Sequence, residues 1–173
     1  RERAVLRRLS VFAGGVTLEA AEVICAGDSF EQADVLDLLA NLVDKSLVLM
    51  EEYGDGIRYR LLETVRQYTR DKLQESGEAP GVRARHRDWY LGLVERAERQ
   101  LLGPDQGKWL KQLETEHDNL RAAQAWSMEH SPEAAMRLAM ALGHFWEVRG
   151  YLSEGRERLA AALSRGEAGR TLM

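Results

Sequence analysis

Val35-Leu36-Asp37-Leu38-Leu39-Ala40-Asn41-Leu42-Val43-Asp44-Lys45-Ser46-Leu47-Val48-Leu49-Met50 is the stretch whose reading decides the fold. Val35, Leu38, Leu39, Leu42 and Val43 fall at i, i+3, i+4, i+7 and i+8, one face of an α-helix. That helix should end near Lys45-Ser46. From Leu47 the period changes. Leu47-Val48-Leu49-Met50 is a short apolar run, and Ile57, Tyr59 and Leu61 alternate with Arg58 and Arg60. Tyr53-Gly54-Asp55-Gly56 between them is a turn signal, so the segment reads as a β-hairpin.

Upstream, Val5, Leu6, Leu9 and Phe12 share one face of a helix over residues 3–12, which Ala13-Gly14-Gly15 ends. Thr17 is a good N-cap for a short second helix reaching Ala26. Ser29 and Gln32 have the spacing of a capping box ahead of the third helix. Downstream, a fourth helix over 62–76 turns Val65, Thr69 and Leu73 inward. Three helices, a hairpin and a closing helix predict a winged-helix module over residues 1–78. Ser76-Gly77-Glu78-Ala79-Pro80-Gly81 is the linker candidate.

Residues 79–173 read as helix throughout. One helix covers 82–102 and stops at Gly103-Pro104. A second covers 105–130. Ser131-Pro132 starts a third, with proline at the first helical position. Gly150 ends it, and Ser153 caps a fourth that reaches Arg165. Short connections between such helices imply antiparallel α-hairpins. Ala141-Leu142-Gly143, Phe145-Trp146, Gly150-Tyr151 and Ala162-Leu163 give this half a tetratricopeptide-like texture. The pairs Trp89/Trp126 and Trp109/Trp146 are each 37 residues apart, near the length of such a repeat. The expected fold class is therefore mainly α, a winged helix followed by a helical-repeat domain cut short at its C-terminus.

Charge is unevenly divided. Residues 1–78 hold ten Lys and Arg against fifteen Asp and Glu; residues 79–173 hold fourteen against thirteen. The module that could read DNA is thus the acidic one. Its third helix exposes Glu31, Asp34, Asp37 and Asp44 against Lys45, whereas a recognition helix needs Arg, Lys, Asn or Gln toward the groove. The wing adds Arg58 and Arg60, too few to reverse the sign. DNA binding through this chain is therefore not the favoured reading, and a protein partner is.

The lone cysteine, Cys25, cannot form an intrachain disulfide and lies in the apolar run Val23-Ile24-Cys25-Ala26, which suits a buried small hydrophobe in a reducing compartment. No apolar run approaches the roughly 18 residues of a membrane span. A cytoplasmic location follows as the expectation. Arg1, in place of methionine, suggests a start inside a longer polypeptide.

Other constellations are weaker. Glu114, His117 and Asp118 at i, i+3 and i+4 could present metal ligands, or form a solvated face paired with Arg121; without a second cluster no metal site is assigned. Arg83, Arg85, His86 and Arg87 make a basic helix start, either a solvated face or a contact for an acidic partner. Of the aromatic residues, most belong to packing, and Trp146 and Tyr151 are the candidates to line a partner groove. There is no GxxxxGK phosphate loop, no nucleophile elbow and no base beside Cys25, so no catalytic residue is assigned.

Several strings carry a family resemblance. They are Leu9-Ser10-Val11-Phe12-Ala13-Gly14-Gly15, Leu42-Val43-Asp44-Lys45-Ser46-Leu47, Tyr59-Arg60-Leu61-Leu62-Glu63-Thr64-Val65-Arg66-Gln67-Tyr68 and Glu116-His117-Asp118-Asn119-Leu120-Arg121. With them the chain resembles the part of bacterial STAND-type, NB-ARC-like regulatory ATPases that follows the nucleotide-binding core. These include LuxR-type and SARP-type transcriptional regulators. The resemblance implies a non-catalytic fragment that couples an ATPase switch to a helical sensor array. No cofactor would bind this fragment, and ATP or ADP would bind the full-length protein. The implied partners are the protein's own ATPase domain, a signal protein or another protomer, with a small inducer possible on the array. In NB-ARC proteins a Met-His-Asp corner touches ADP; the matching stretch here is Leu61-Leu62-Glu63. Leu62 cannot donate a hydrogen bond, so Leu62, Glu63 and Arg66 are nucleotide-corner candidates whose alternative role is packing or hinging.

Overall fold

The computed structural model describes residues 1–27, 30–54 and 56–171. The capping box expected at Ser29 and the turn residue Asp55 lie outside the described residues. The chain divides into two compact units, Arg1–Trp89 and Tyr90–Met173.

The first unit opens with α1 (Glu2–Arg8), which runs into a 3-10 turn over Leu9–Val11. β1 (Val16–Thr17) follows, then α2 (Leu18–Cys25), whose N-cap Thr17 accepts a hydrogen bond from the Ala20 amide as expected. A 3-10 turn, Gln32–Asp34, leads into α3 (Val35–Asp44). Here the reciprocal capping pair is Glu31 and Asp34. Val35, Leu39 and Leu42 of α3 are buried, and Leu38 and Val43 are half-buried. Each fully buried Leu or Val contributes about 1.5–3 kcal/mol. Ser46, at φ 57°, reverses the chain after α3, and the amides of Leu47 and Val48 both donate to the Leu42 carbonyl. That closes the orphan end of the helix and launches the hairpin.

The hairpin is present as β2 (Leu49–Tyr53) and β3 (Gly56–Arg60). The sheet has a third strand that periodicity does not show, because β1 is only two residues long. The order is β1-β3-β2, all antiparallel. Val16 pairs with Tyr59, and Thr17 with Arg58. This register corrects the expected alternation. Tyr59 and Leu61 are buried, while Ile57 lies beyond the end of β1 and is 47% exposed. α4 (Glu63–Glu75) buries Thr69 and Leu73 as expected.

The linker expected at 76–81 is a helix corner. Gly77 takes φ +73°, and α5 (Ala79–Gln100) begins two residues later. Glu78 is held by Arg7 and Arg8 of α1, Ala79 and Val82 are buried, and the His86 ring meets Phe12 edge-on at 5.3 Å. Those contacts carry the first unit past residue 78, to Trp89.

The second unit adds α6 (Gln106–Thr115), α7 (His117–His130), α8 (Pro132–Arg149) and α9 (Leu152–Thr171). The single helix expected over 105–130 is two helices. The break is at Glu116 (φ −93°, ψ 4°), whose buried carboxylate accepts hydrogen bonds from Tyr90 Oη and Asn119 Nδ2. α7 and α8 meet through Ser131 alone, and α8 and α9 through Gly150, at φ +78°, and Tyr151. α9 starts at Leu152, so Ser153 falls inside it rather than capping it. α7 packs along α8, and α8 along α9, antiparallel given such short connections. Leu138, Leu142, Phe145 and Trp146 of α8 fill the core. Among the described residues, no helix is long and apolar enough to cross a membrane.

Candidate functional site

The outward surface of α3 is where a winged helix would meet its partner. Its buried stripe fixes the opposite face: Leu36, Asp37, Ala40, Asn41 and Asp44 are exposed, with Leu36 at 45%. Among the described residues of α3 itself, no cation lies on that face. Lys45, just past the helix, pairs with Glu2. The wing arginines are also engaged within the unit: Arg58 Nη2 donates to the Gly15 carbonyl, and Arg60 Nη2 contacts Glu51 Oε1 at 2.6 Å. The sequence expectation of an acidic third helix is thus placed on a surface, with Leu36 as an apolar centre that the charge count had not singled out.

At the corner between β3 and α4, Leu62 is the N-cap residue of α4 and is 43% exposed. Glu63 and Arg66 form an i,i+3 pair at 2.7 Å. The three corner candidates therefore stand together. Leu62 is thus partly covered and partly open to solvent.

The basic start of α5 is not a solvated face. Arg85 Nε donates to the Ile24 carbonyl at 3.0 Å, His86 is buried, and Arg87 pairs with Asp88 at 2.7 Å. Arg83 is half-buried, and burial together with nearby Arg70 holds its guanidinium below the usual value. Cys25 is fully buried, and burial pushes its thiol up to about 12, which leaves it unreactive at neutral pH.

What the sequence reading missed is Arg8. Its side chain is 5% exposed. Nη1 donates to the Cys25 carbonyl at 2.8 Å, Nη2 to Glu78 Oε1 at 2.7 Å, and the guanidinium lies 5.1 Å from the Phe30 ring centre. Hydrogen bonds from Arg7 and Arg8 hold the Glu78 carboxyl at about 2. Arg8 falls on the inner side of α1 beside Val5 and Leu9, and that position in the helical period was the available signal. The first unit also carries an apolar groove of about 780 Å³ between α1 and α4, lined by Leu6, Leu47, Val65 and Tyr68 among others.

In the second unit Trp146 is 2% exposed, so it belongs to the core and cannot anchor a partner. Tyr151 is half-buried; its hydroxyl donates to Glu114 and its ring lies 4.6 Å from His117. Glu114 also pairs with Arg149 at 3.5 Å, His117 Nε2 lies 3.6 Å from Glu154, and Arg121 reaches Asp118 at 3.5 Å. Burial, with Arg121 adding, lowers the His117 pKa below its ordinary value. Arg121 grips Glu154 through two bonds, at 2.8 and 2.6 Å, and Glu154 is held at about 2.

Comparison with known proteins agrees with the first unit's architecture. Residues 1–74 match the family model described as a winged helix-turn-helix domain. A Mycobacterium bovis protein provisionally named an HTH-type transcriptional regulator is 46% identical over 159 residues, 89% of this chain and 17% of its own length. A Mycobacterium tuberculosis protein of the same description aligns equally. An uncharacterized Mycobacterium bovis protein is 51% identical over 87 residues, 50% of this chain and 22% of its own length. The chain therefore spans under a fifth of the first relatives it matches. No solved structure matches it. The fold is mainly helical, a winged helix with a small antiparallel sheet followed by further helices.

Proposed function

We propose that this chain is a regulatory module of a larger transcriptional regulator, and that its winged helix meets protein through α3 while its second unit serves as a sensor array. The observation that carries the reading is the exposed face of α3, Leu36, Asp37, Ala40, Asn41 and Asp44, an apolar centre with carboxylates and no cation. Affinity for duplex DNA rests on neutralised phosphates, and direct readout on donors toward base edges. Two aspartates toward the groove oppose the first, and Asn41 alone supplies little of the second. An apolar centre with a charged rim suits a protein contact.

The finer version of this proposal makes the partner an ATPase domain in the same polypeptide. It also makes the second unit a tetratricopeptide-like array that takes a signal protein, another protomer or a small inducer. ATP or ADP would then bind outside this chain, with Leu62, Glu63 and Arg66 at the corner nearest the switch. Support for it is the resemblance of the strings quoted above, together with the exposed Leu62 beside a fixed Glu63–Arg66 pair.

A second reading, in which this winged helix itself binds DNA, is favoured by the family description and by the relatives' names. It would use Arg58 and Arg60 on the wing. Fluorescence anisotropy with a labelled duplex separates the two. The protein-facing reading expects no saturable binding at low salt and no change with Arg58→Ala or Arg60→Ala. The DNA reading expects binding that falls steeply with salt and with either substitution.

A further inference from the structure

The second unit holds a polar crevice that none of these roles uses. It lies between α7 and α9, has a volume of about 480 Å³, and is lined by Arg121, Gln124 and Met128 from one helix and Glu154, Arg158 and Ala161 from the other. Helical spacing puts the first three on one side of α7, at i, i+3 and i+7.

Most of the charge in the crevice is already committed. Arg121 and Glu154 are joined by two hydrogen bonds. Arg158 contributes only its Nε to Glu154, at 3.1 Å, so its two terminal nitrogens have no hydrogen-bond partner among the described residues. Gln124 is 1% exposed, and its side-chain amide nitrogen is buried with no acceptor. A buried donor left unmade costs free energy that a matching acceptor recovers. The uncommitted donors are therefore the Gln124 amide and the terminal nitrogens of Arg158, whose charge already faces Glu154, and Met128 and Ala161 supply apolar wall beside them.

We propose that this crevice binds a carboxylate carried on a short apolar group, with Gln124 as the buried donor to one oxygen and Arg158 as the charge partner of the other. A planar two-oxygen acceptor with one negative charge matches one amide and one guanidinium. A phosphate dianion fits worse, because Glu154 and Glu157 line the same crevice. The carboxylate could belong to a free small acid or to a peptide C-terminus, and the chemistry is the same. The inference deepens the sensor role proposed for the second unit, but the partner of α3 plays no part in it. A DNA-binding result above would leave it standing.

The test is an NMR titration of the 173-residue chain, following the Gln124 side-chain amide and the Arg158 backbone amide. The probes are N-acetyl-leucine, its amide N-acetyl-leucinamide, and an acetylated tetrapeptide ending in leucine with a free carboxylate. The acid should give saturable shifts at both residues, and the leucinamide should bind at least about tenfold more weakly. Gln124→Leu and Arg158→Leu should each abolish the shifts while leaving the rest of the spectrum folded. Tighter binding of the tetrapeptide assigns a chain terminus as the source; equal binding assigns a free acid. Acid and amide binding alike, shifts that survive Gln124→Leu, or no saturation at millimolar probe would overturn the proposal. The last outcome would mean that water alone satisfies Gln124.

Discussion

Arg8 of α1 and Glu78, 70 residues apart in sequence, meet at 2.7 Å with the arginine almost wholly buried. The same guanidinium caps the C-terminal end of α2 through the Cys25 carbonyl. One side chain thus ties the first helix, the second helix and the start of α5 into the winged-helix unit. Removing one partner of a fully buried pair costs about 3–5 kcal/mol. Glu78 keeps a quarter of its side chain in water, so Glu78→Gln should cost about 2 kcal/mol, measured by urea unfolding at pH 7.

The pH dependence has a definite sign. The folded Glu78 carboxyl sits at about 2, below its ordinary value of 4.5. Its contribution is therefore complete above about pH 4.5 and is lost as pH falls toward 2, where folded and unfolded states both become protonated. The stability gap between the native chain and Glu78→Gln should be widest at pH 7 and clearly smaller at pH 3. A gap that widened on acidification would contradict the assignment.

Much of the first unit was legible because its signals are local. The α3 stripe, the Thr17 cap and the hairpin at Gly54 each follow from a few neighbouring residues. β1 was not legible, since two residues carry no period, and so neither was the exposure of Ile57 beyond its end. Arg8 and Glu78 were missed because a buried ion pair joins positions that sequence spacing cannot relate. The linker at Ser76–Gly81 had the composition of a boundary, yet Glu78 is anchored within the unit. In the α3 surface the charge was legible and the exposed Leu36 was not separated from its buried neighbours.

Two leucines of α3 should behave oppositely. Leu39 is fully buried and Leu36 is 45% exposed. Leu39→Ala should cost about 2–5 kcal/mol in thermal or urea unfolding. Leu36→Ala should change stability by no more than about 0.5 kcal/mol. Comparable losses at both positions would mean that α3 is rotated relative to the arrangement described here.

In the second unit, Glu116 sits at the break between α6 and α7. Tyr90 Oη donates to its buried carboxylate at 2.8 Å. A hydrogen bond to a charged acceptor contributes about 1.5–3 kcal/mol, so Tyr90→Phe should destabilise the chain by that amount. An unchanged unfolding midpoint in Tyr90→Phe would show that this bond does not hold the unit together.

Gly155 lets α9 approach α8. A Cβ there would lie 2.9 Å from Trp146 Cε3, and the buried indole has little room to move. Gly155→Ala should cost about 1–3 kcal/mol by overpacking. It should also shift the Trp146 fluorescence, whereas an alanine at Gly107, where the added atom meets nothing, should not.

The central claim is that α3 presents Leu36 and its flanking aspartates to protein. A photo-crosslinking amino acid at Leu36, in the chain within its native polypeptide and with duplex DNA present, reads this contact directly. The account predicts an adduct that protease destroys and nuclease leaves intact. An adduct trimmed by nuclease would place α3 on DNA and contradict it.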